Sequence, residues 1–434
     1  MKFRLALGLL AATALASPAF AGEIKTVFVI DMENHNLTQP SGVTSPAQLL
    51  GNPAAPYLNS LITPGNPNAA QTSWAGNYQN VLSNTGAHIH PSEPNYLWQE
   101  GGSNFGVAND ADPSSNSPAV GNAPCLSCAL QSKGISWKSY QEDTQLLTTG
   151  GLNATAGNGV TNGAINGTNS NLTGTVASKS QWTVPLVSLS GTSSNYTNAY
   201  NGSHQYNFAA KHDGSLFFDQ TNGITDHSAN GGITTNAGGT GTQDASNPES
   251  GHYAPLQQLT TDLNNNTVGR YNLITPDQYN DMHSALTGGF TYNGTSYTGD
   301  QAAIAQGDNF LSMIIPQIMA SQAYQDDGAI VIWYDETEGG DTSDFTIPEI
   351  VISPLAMGNA YESDVLLSHT SDLLTWEELF GLGNAVPTDP RDILALNDLS
   401  SLFKPGAIPE PSPMLLLIPG LLGIGFIRRR RRTA

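Results

Sequence analysis

Apolar residues along this chain gather in two kinds of block. The first is a short, nearly unbroken run rich in β-branched residues. Residues 25–31 carry Thr26, Val27, Phe28, Val29 and Ile30, and residues 329–334 carry Ile330, Val331, Ile332 and Trp333. Runs of this length without alternation read as strands covered on both faces. Residues 271–275 and 347–353 are two further strand candidates. The second kind repeats at helical spacing: residues 300–322 place Ile304, Phe310, Leu311, Ile314, Ile315 and Ile318 on one face. Shorter helical patterns cover 255–263 and 372–380, the latter closed by Gly381 as a glycine C-cap. Strands and helices in alternation predict an α/β domain. Two stretches, 148–178 and 222–250, are rich in Gly, Asn, Thr and Ser without apolar periodicity and read as long surface loops. Asn-x-Thr/Ser triplets at Asn153, Asn166, Asn171, Asn201 and Asn293 read as turn chemistry.

The two ends depart from this pattern. Lys2 and Arg4 precede an apolar run over residues 5–15, and Ala19-Phe20-Ala21 gives the small-x-small pattern read by signal peptidase. This predicts a leader over residues 1–21 and an exported protein, with a main domain over 22–404. At the other end Pro409-Glu410-Pro411 is followed by an apolar run over 414–427 and five arginines over 428–432. That run is shorter than the ~20 residues a helix needs to span a bilayer. The segment over 405–434 resembles the PEP-CTERM sorting signal of Gram-negative bacteria. The resemblance implies recognition by an exosortase-type enzyme, transient membrane contact through a short hydrophobic helix, and an endpoint in the periplasm, at the cell surface or in the matrix. A permanent anchor is the alternative.

Charge narrows the partners. Seven of the 15 basic residues lie in these two ends, but only one of the 36 acidic ones, which leaves eight against 35 in the body. So acidic a body repels nucleic acid and anionic membrane surfaces. An anionic ester substrate would need a local cation, which a metal ion supplies. The two cysteines, Cys125 and Cys128, have no second pair and face an oxidising compartment, so a local disulfide is expected.

Candidate chemistry concentrates where the two clearest strands end. The first runs into Asp31-Met32-Glu33-Asn34-His35 and the second into Asp335-Glu336-Thr337-Glu338. Ligands of parallel α/β sheets bind outside the carboxyl ends of strands, and oxygen-rich side chains there suit a hard divalent cation. A third element, Ser92-Glu93-Pro94-Asn95, has the look of a helix start, with Ser92 as N-cap. Unpaired N–H groups at such a start suit a phosphoryl oxyanion.

Four blocks in order resemble the bacterial phospholipase C and acid phosphatase phosphoesterases of the alkaline-phosphatase-like superfamily. They are Met32-Glu33-Asn34, Ser92-Glu93-Pro94-Asn95, Ile274-Thr275-Pro276 through Asn280-Asp281-Met282-His283, and Trp333-Tyr334-Asp335-Glu336. Lys211-His212 and Glu378-Leu379-Phe380-Gly381 are supporting pieces. The resemblance implies a mostly parallel central sheet flanked by helices, with one divalent metal ion on Glu33, Asn34, Asp335, Glu336 and Ser92 Oγ. It implies Ser92 as nucleophile on a phosphate mono- or diester, through a phosphoserine. Asn95 would donate to a phosphoryl oxygen, and His212 and His283, the latter paired with Asp281, would carry protons. His88, His90 and His369 are read as core or supporting residues. The chain departs from the family pattern at His35-Asn36-Leu37-Thr38, at Asp213-Gly214 and at Asp277, which bears on substrate preference. A two-metal phosphatase or sulfatase and an inactive surface matrix protein remain as alternatives.

Overall fold

The computed structural model describes residues 22–43, 47–81, 88–144, 184, 186–192, 196–225, 243, 247–338, 346–390, 392 and 397–409. The predicted leader, the stretch 148–178, much of 222–250 and the tail beyond Pro409 lie outside them. In chain order the strands are β1 (Thr26–Met32), β2 (Thr72–Ala75), β3 (Trp137–Gln141), β4 (Leu189–Thr192), β5 (Gln205–Phe208) and β6 (Tyr253–Pro255). β7 (Tyr271–Thr275), β8 (Phe290–Tyr292), β9 (Thr295–Tyr297), β10 (Gly328–Tyr334), β11 (Glu349–Ile352) and β12 (Tyr361–Ser363) follow. The helices are α1 (Pro56–Leu61), α2 (Ser92–Gly101), α3 (Pro113–Val120), α4 (Leu126–Ser132), α5 (Gln257–Asn265), α6 (Asp300–Met319), α7 (Gln322–Gln325) and α8 (His369–Leu379).

Eight strands form one sheet in the order β12-β2-β11-β10-β1-β7-β3-β6. Its heart is parallel: β1 pairs with β10 and β7, and β3 with β7 and β6. All seven residues of β10 are buried. Burying each of its large apolar side chains stabilises by about 1.5–3 kcal/mol, which is why this run tolerates no polar face. Antiparallel β11 and β2 extend the sheet on one side. The β1–β10 register sets Met32 opposite Tyr334. Glu33 and Asp335, next along each chain, therefore leave the same edge of the sheet side by side.

The α/β architecture with a mostly parallel sheet flanked by helices is the predicted one, with local differences. Strand 347–353 is shorter and antiparallel. The helix predicted at 255–263 begins at Gln257, because Pro255 closes β6. The long helix ends at Met319, and α8 starts three residues before the predicted Asp372. Gly381 has φ +60, the left-handed conformation of a helix-ending glycine. Cys125 and Cys128 are disulfide-bonded at the start of α4. Among the described residues no helix is long and apolar enough to cross a membrane, and the run 414–427 lies outside them.

Candidate active site

The site is built by loops leaving the carboxyl ends of β1, β7 and β10, closed from one side by α2. After β1 the chain turns at Asn34, whose φ of 46 lies in the left-handed region that asparagine tolerates. The Asn34 N–H donates to Asp335 Oδ1 at 2.9 Å, joining the two strand ends. Ser92 is the first residue of α2, with Pro91 as the cap, so its hydroxyl is free of a capping role. That hydroxyl donates to Glu33 Oε2 at 3.0 Å and lies 3.2 Å from Asn34 Oδ1.

A second half of the site faces Glu33 from the opposite side. The buried His212 ring places Nε2 3.4 Å from Glu33 Oε1 and Nδ1 3.5 Å from Asp281 Oδ2. It stacks on Tyr96 of α2 at 5.0 Å between centroids, and the Tyr96 hydroxyl donates to Glu33 Oε1 at 2.5 Å. Gly214 makes this approach possible: a Cβ there would lie 2.3 Å from the Tyr96 carbonyl oxygen. The departure at Asp213-Gly214 thus has a packing reason in this chain.

The electrostatics are severe. Glu33, Asp281 and Asp335 are at most 1% exposed. Burial raises all three well above the ordinary carboxylate range; Asp335 and Asp281 raise Glu33 further, and Glu336 raises Asp335. Burial, with Lys211 and His283 nearby, pushes His212 well below its usual value, so it is neutral. Among the described residues no lysine or arginine pairs with Glu33, Asp281 or Asp335. Both ring nitrogens of His212 and Asp281 Oδ2 are buried without a hydrogen bond. The Asn34 side-chain oxygen faces acceptors only, 3.0 Å from Glu33 Oε2 and 3.1 Å from each Asp335 oxygen. Either the amide is turned so that its NH2 donates, or a cation accounts for the crowding of oxygens. A hard divalent ion fits this donor set: Glu33, His212 and Asp281 offer ligand atoms within 4.8 Å of one another, beside Asn34 and Asp335.

The remaining predicted residues fall at the rim or elsewhere. Glu336 Oε2 accepts from His90 Nδ1 at 2.8 Å and from Asn95 Nδ2 at 3.1 Å. The Asn95 amide also donates to the Ile89 carbonyl at 3.0 Å, so its N–H groups tether Glu336 and the loop before α2. The Asp281–His283 pairing is corrected. Asp281 Oδ1 accepts from the His283 backbone N–H at 2.7 Å, while the exposed His283 ring contacts Ser284 Oγ at 2.9 Å. The ring that faces the Asp281 carboxylate is that of His212, 3.5 Å from Oδ2.

Three things were not legible in the sequence. Asp31 is buried beneath the site, accepting from Gln99 Nε2 at 2.9 Å. Tyr96 clamps Glu33. A second buried acidic group, Glu142, Asp143 and Asp277, lies at the ends of β3 and β7. Recognition of β3 as a strand would have revealed it, since the same strand-end rule applies.

The fold and site define an α/β protein whose polar site lies at the carboxyl edge of a largely parallel sheet, where such folds bind ligands. Within that class the chain belongs to the Phosphoesterase family, whose model matches residues 68–383. Glu33 and Asn34 precede the matched stretch and reach it through the β1–β10 pairing. The chain is 38% identical over 81 residues to a probable acid phosphatase of Kluyveromyces lactis, covering 19% of this chain and 18% of that protein. It is 31% identical over 99 residues to a phosphatidylinositol-3-phosphatase of Mycobacterium tuberculosis, covering 23% and 27%. The chain thus spans less than a third of either curated relative. A solved structure from Vibrio parahaemolyticus, described as in the alkaline phosphatase superfamily, covers 89% of this chain and 79% of its own at 11% identity. Its TM-score is 0.40, too low to bear on fold or function.

Proposed function

We propose that the protein is an exported, metal-dependent phosphoesterase of acid phosphatase or phospholipase C type, working through a phosphoserine on Ser92. The observation that carries this reading is the Ser92 hydroxyl directed at Glu33 among buried carboxylates and a neutral histidine with unmet valences. Glu33, Asn34, Asp335 and Ser92 Oγ would hold one divalent ion, with His212 and Asp281 beside them and Glu336 at the rim. Such an ion, when bound, lowers the serine hydroxyl pKa and offsets charge on the phosphoryl oxygens.

The protein's own groups supply the remainder. Glu33 takes the Ser92 proton as Oγ attacks phosphorus and the phosphorus–ester oxygen bond breaks. The departing oxygen takes a proton from solvent, to which the proton later removed from water returns. Tyr96 holds Glu33 through its other oxygen, fixing the base in line. Water then attacks the phosphoserine, and the exposed His283 at the mouth takes the water proton as Oγ leaves to be reprotonated by Glu33. Burial of Ser92, 2% exposed, keeps bulk water from competing in the first step. Turnover of a chromogenic phosphate ester should vanish with chelator and return with added divalent metal; full activity in chelator contradicts the reading.

Export rests on the leader over 1–21, and sorting on Pro409-Glu410-Pro411 with the run and arginines behind it. The mature protein is expected to lack this tail and remain active, since every proposed catalytic residue precedes it. Intact mass of protein from its native host decides this: a mass that still includes residues 428–432 makes the segment an anchor.

A further inference from the structure

Against the Asp335 main chain lies a polar chain that the mechanism above does not use. It links Asp372 and His369 on α8 with Tyr78 beyond β2, and Glu349 on β11 lies against Asp372. All four are at most 2% exposed. The Tyr78 hydroxyl lies 2.5 Å from Asp372 Oδ2 and 2.9 Å from His369 Nδ1. His369 Nε2 lies 2.5 Å from the main-chain carbonyl oxygen of Asp335.

Hydrogen-bond inventory fixes much of the direction of this chain. A carbonyl oxygen only accepts, so His369 Nε2 carries a hydrogen. Tyr78 has a single hydrogen and two neighbours that could take it. In one arrangement His369 is an imidazolium that donates to Tyr78, and Tyr78 donates to an ionised Asp372. In the other His369 is neutral and accepts from Tyr78, and a protonated Asp372 donates to Tyr78. Both hold the same number of protons, but the first separates charge in a site closed to water, which burial disfavours. Asp372 faces Glu349 carboxyl to carboxyl, and burial raises it to about 7 and Glu349 well above the usual range, consistent with the neutral arrangement.

We propose that His369 is a positioning residue for the phosphoesterase reaction, held by Tyr78 and Asp372 as the neutral Nε2–H tautomer so that it fixes the Asp335 carbonyl and the turn presenting Asp335 and Glu336. The inference rests on the proposed role of those two carboxylates. It gives a use to three buried polar groups that would otherwise weaken the fold, since side chains that support a metal site typically matter about 10–100-fold in affinity or activity.

Nitrogen-15 spectra of the metal-free protein read the His369 tautomer directly, and Mn2+ titration followed by electron paramagnetic resonance reads the site. Wild type should show neutral Nε2–H. Tyr78→Phe, which removes the hydroxyl that holds the ring against the Asp335 carbonyl, should free the ring from that oxygen and so mix the tautomers, weaken Mn2+ binding about tenfold and lower kcat with KM unchanged. Asp372→Asn, whose amide donates as the protonated acid does, should keep the wild-type tautomer and affinity. An Nδ1–H or doubly protonated His369 in wild type overturns the proposal without any variant, as does Tyr78→Phe with unaltered Mn2+ affinity. Failure of the functional reading looks different: Ser92→Ala would stay active while the His369 tautomer stood.

Discussion

Two buried acidic groups sit at the same edge of the same sheet, and only one of them looks built for chemistry. Glu142, Asp143 and Asp277 at the ends of β3 and β7 match Glu33, Asp281 and Asp335 in burial and in charge. The first group is nearly closed. Glu142 accepts from Asn280 at 2.8 and 3.1 Å, from Asn198 at 2.7 Å and from the Asp277 N–H at 2.9 Å. Asp143 is met by the Tyr196 hydroxyl and, at 3.1 Å, by the Asn207 N–H. A single oxygen, Asp277 Oδ2, is left without a hydrogen bond. Around Glu33 the reverse holds: a histidine with both nitrogens unbonded and an orphaned Asp281 oxygen. Counting acids does not separate the two groups; counting unmet valences does.

The largest expected effect lies at the serine between these oxygens. Ser92→Ala should lower turnover at least about a thousandfold while leaving the thermal melt within about 1 kcal/mol of wild type. Rates and melts on the purified variant check both halves; a variant retaining a tenth of wild-type activity removes Ser92 from the mechanism. Glu33→Gln should come next, at about 100-fold or more in kcat, whereas Glu142→Gln should stay within about tenfold, because its carboxylate is occupied by amides. Equal losses in steady-state rates of the two variants would erase the distinction between the groups.

Metal should separate them a second way. Adding saturating Mn2+ should raise the melting temperature of wild type and of Glu142→Gln, but not of Glu33→Gln, since only binding to the native state stabilises it. A calorimetric shift that survives in Glu33→Gln would place the ion elsewhere.

The smallest effect is on the pH slope of the metal-free protein. Burial, then Asp143, raises Glu142 to about 8, and burial raises Glu100 to about 8. In this window the native state binds protons that the unfolded chain has lost. Stability is therefore full below the ordinary glutamate pKa and falls as pH rises toward 8, by an amount on the order of a few kcal/mol. Glu142→Gln should flatten the slope measured by denaturant melts between pH 5 and 8. An unchanged slope would show that this group keeps its ordinary ionisation.

The parts of this comparison that were readable in the sequence share one property: they lie on strands apolar on both faces. β1 and β10 announce themselves by Val27 to Ile30 and Ile330 to Trp333, so Glu33 and Asp335 could be assigned to strand ends. β3, Trp-Lys-Ser-Tyr-Gln, is buried at four of its five positions yet reads as polar. Two of its polar side chains find partners in distant segments, Ser139 in Asp213 at 2.6 Å and Tyr140 in Asp262 at 2.7 Å. No local pattern encodes such partners, and the Glu142 group behind β3 was hidden with it. Helix α2 shows the same limit, buried throughout with no apolar stripe. The acceptors of the Asn95 amide, Glu336 and Ile89, were likewise out of reach of a local reading, because they depend on the tertiary turn.

The most direct test is to catch the covalent intermediate. Enzyme mixed with a phosphate ester should be quenched in acid during turnover, digested, and its peptides weighed by mass spectrometry. A phosphoryl group on Ser92, absent without substrate and absent in Glu33→Gln, is the predicted result. Phosphate on another residue, or none on Ser92 while the wild-type enzyme turns over under conditions that accumulate any acid-stable phosphoenzyme, would contradict it.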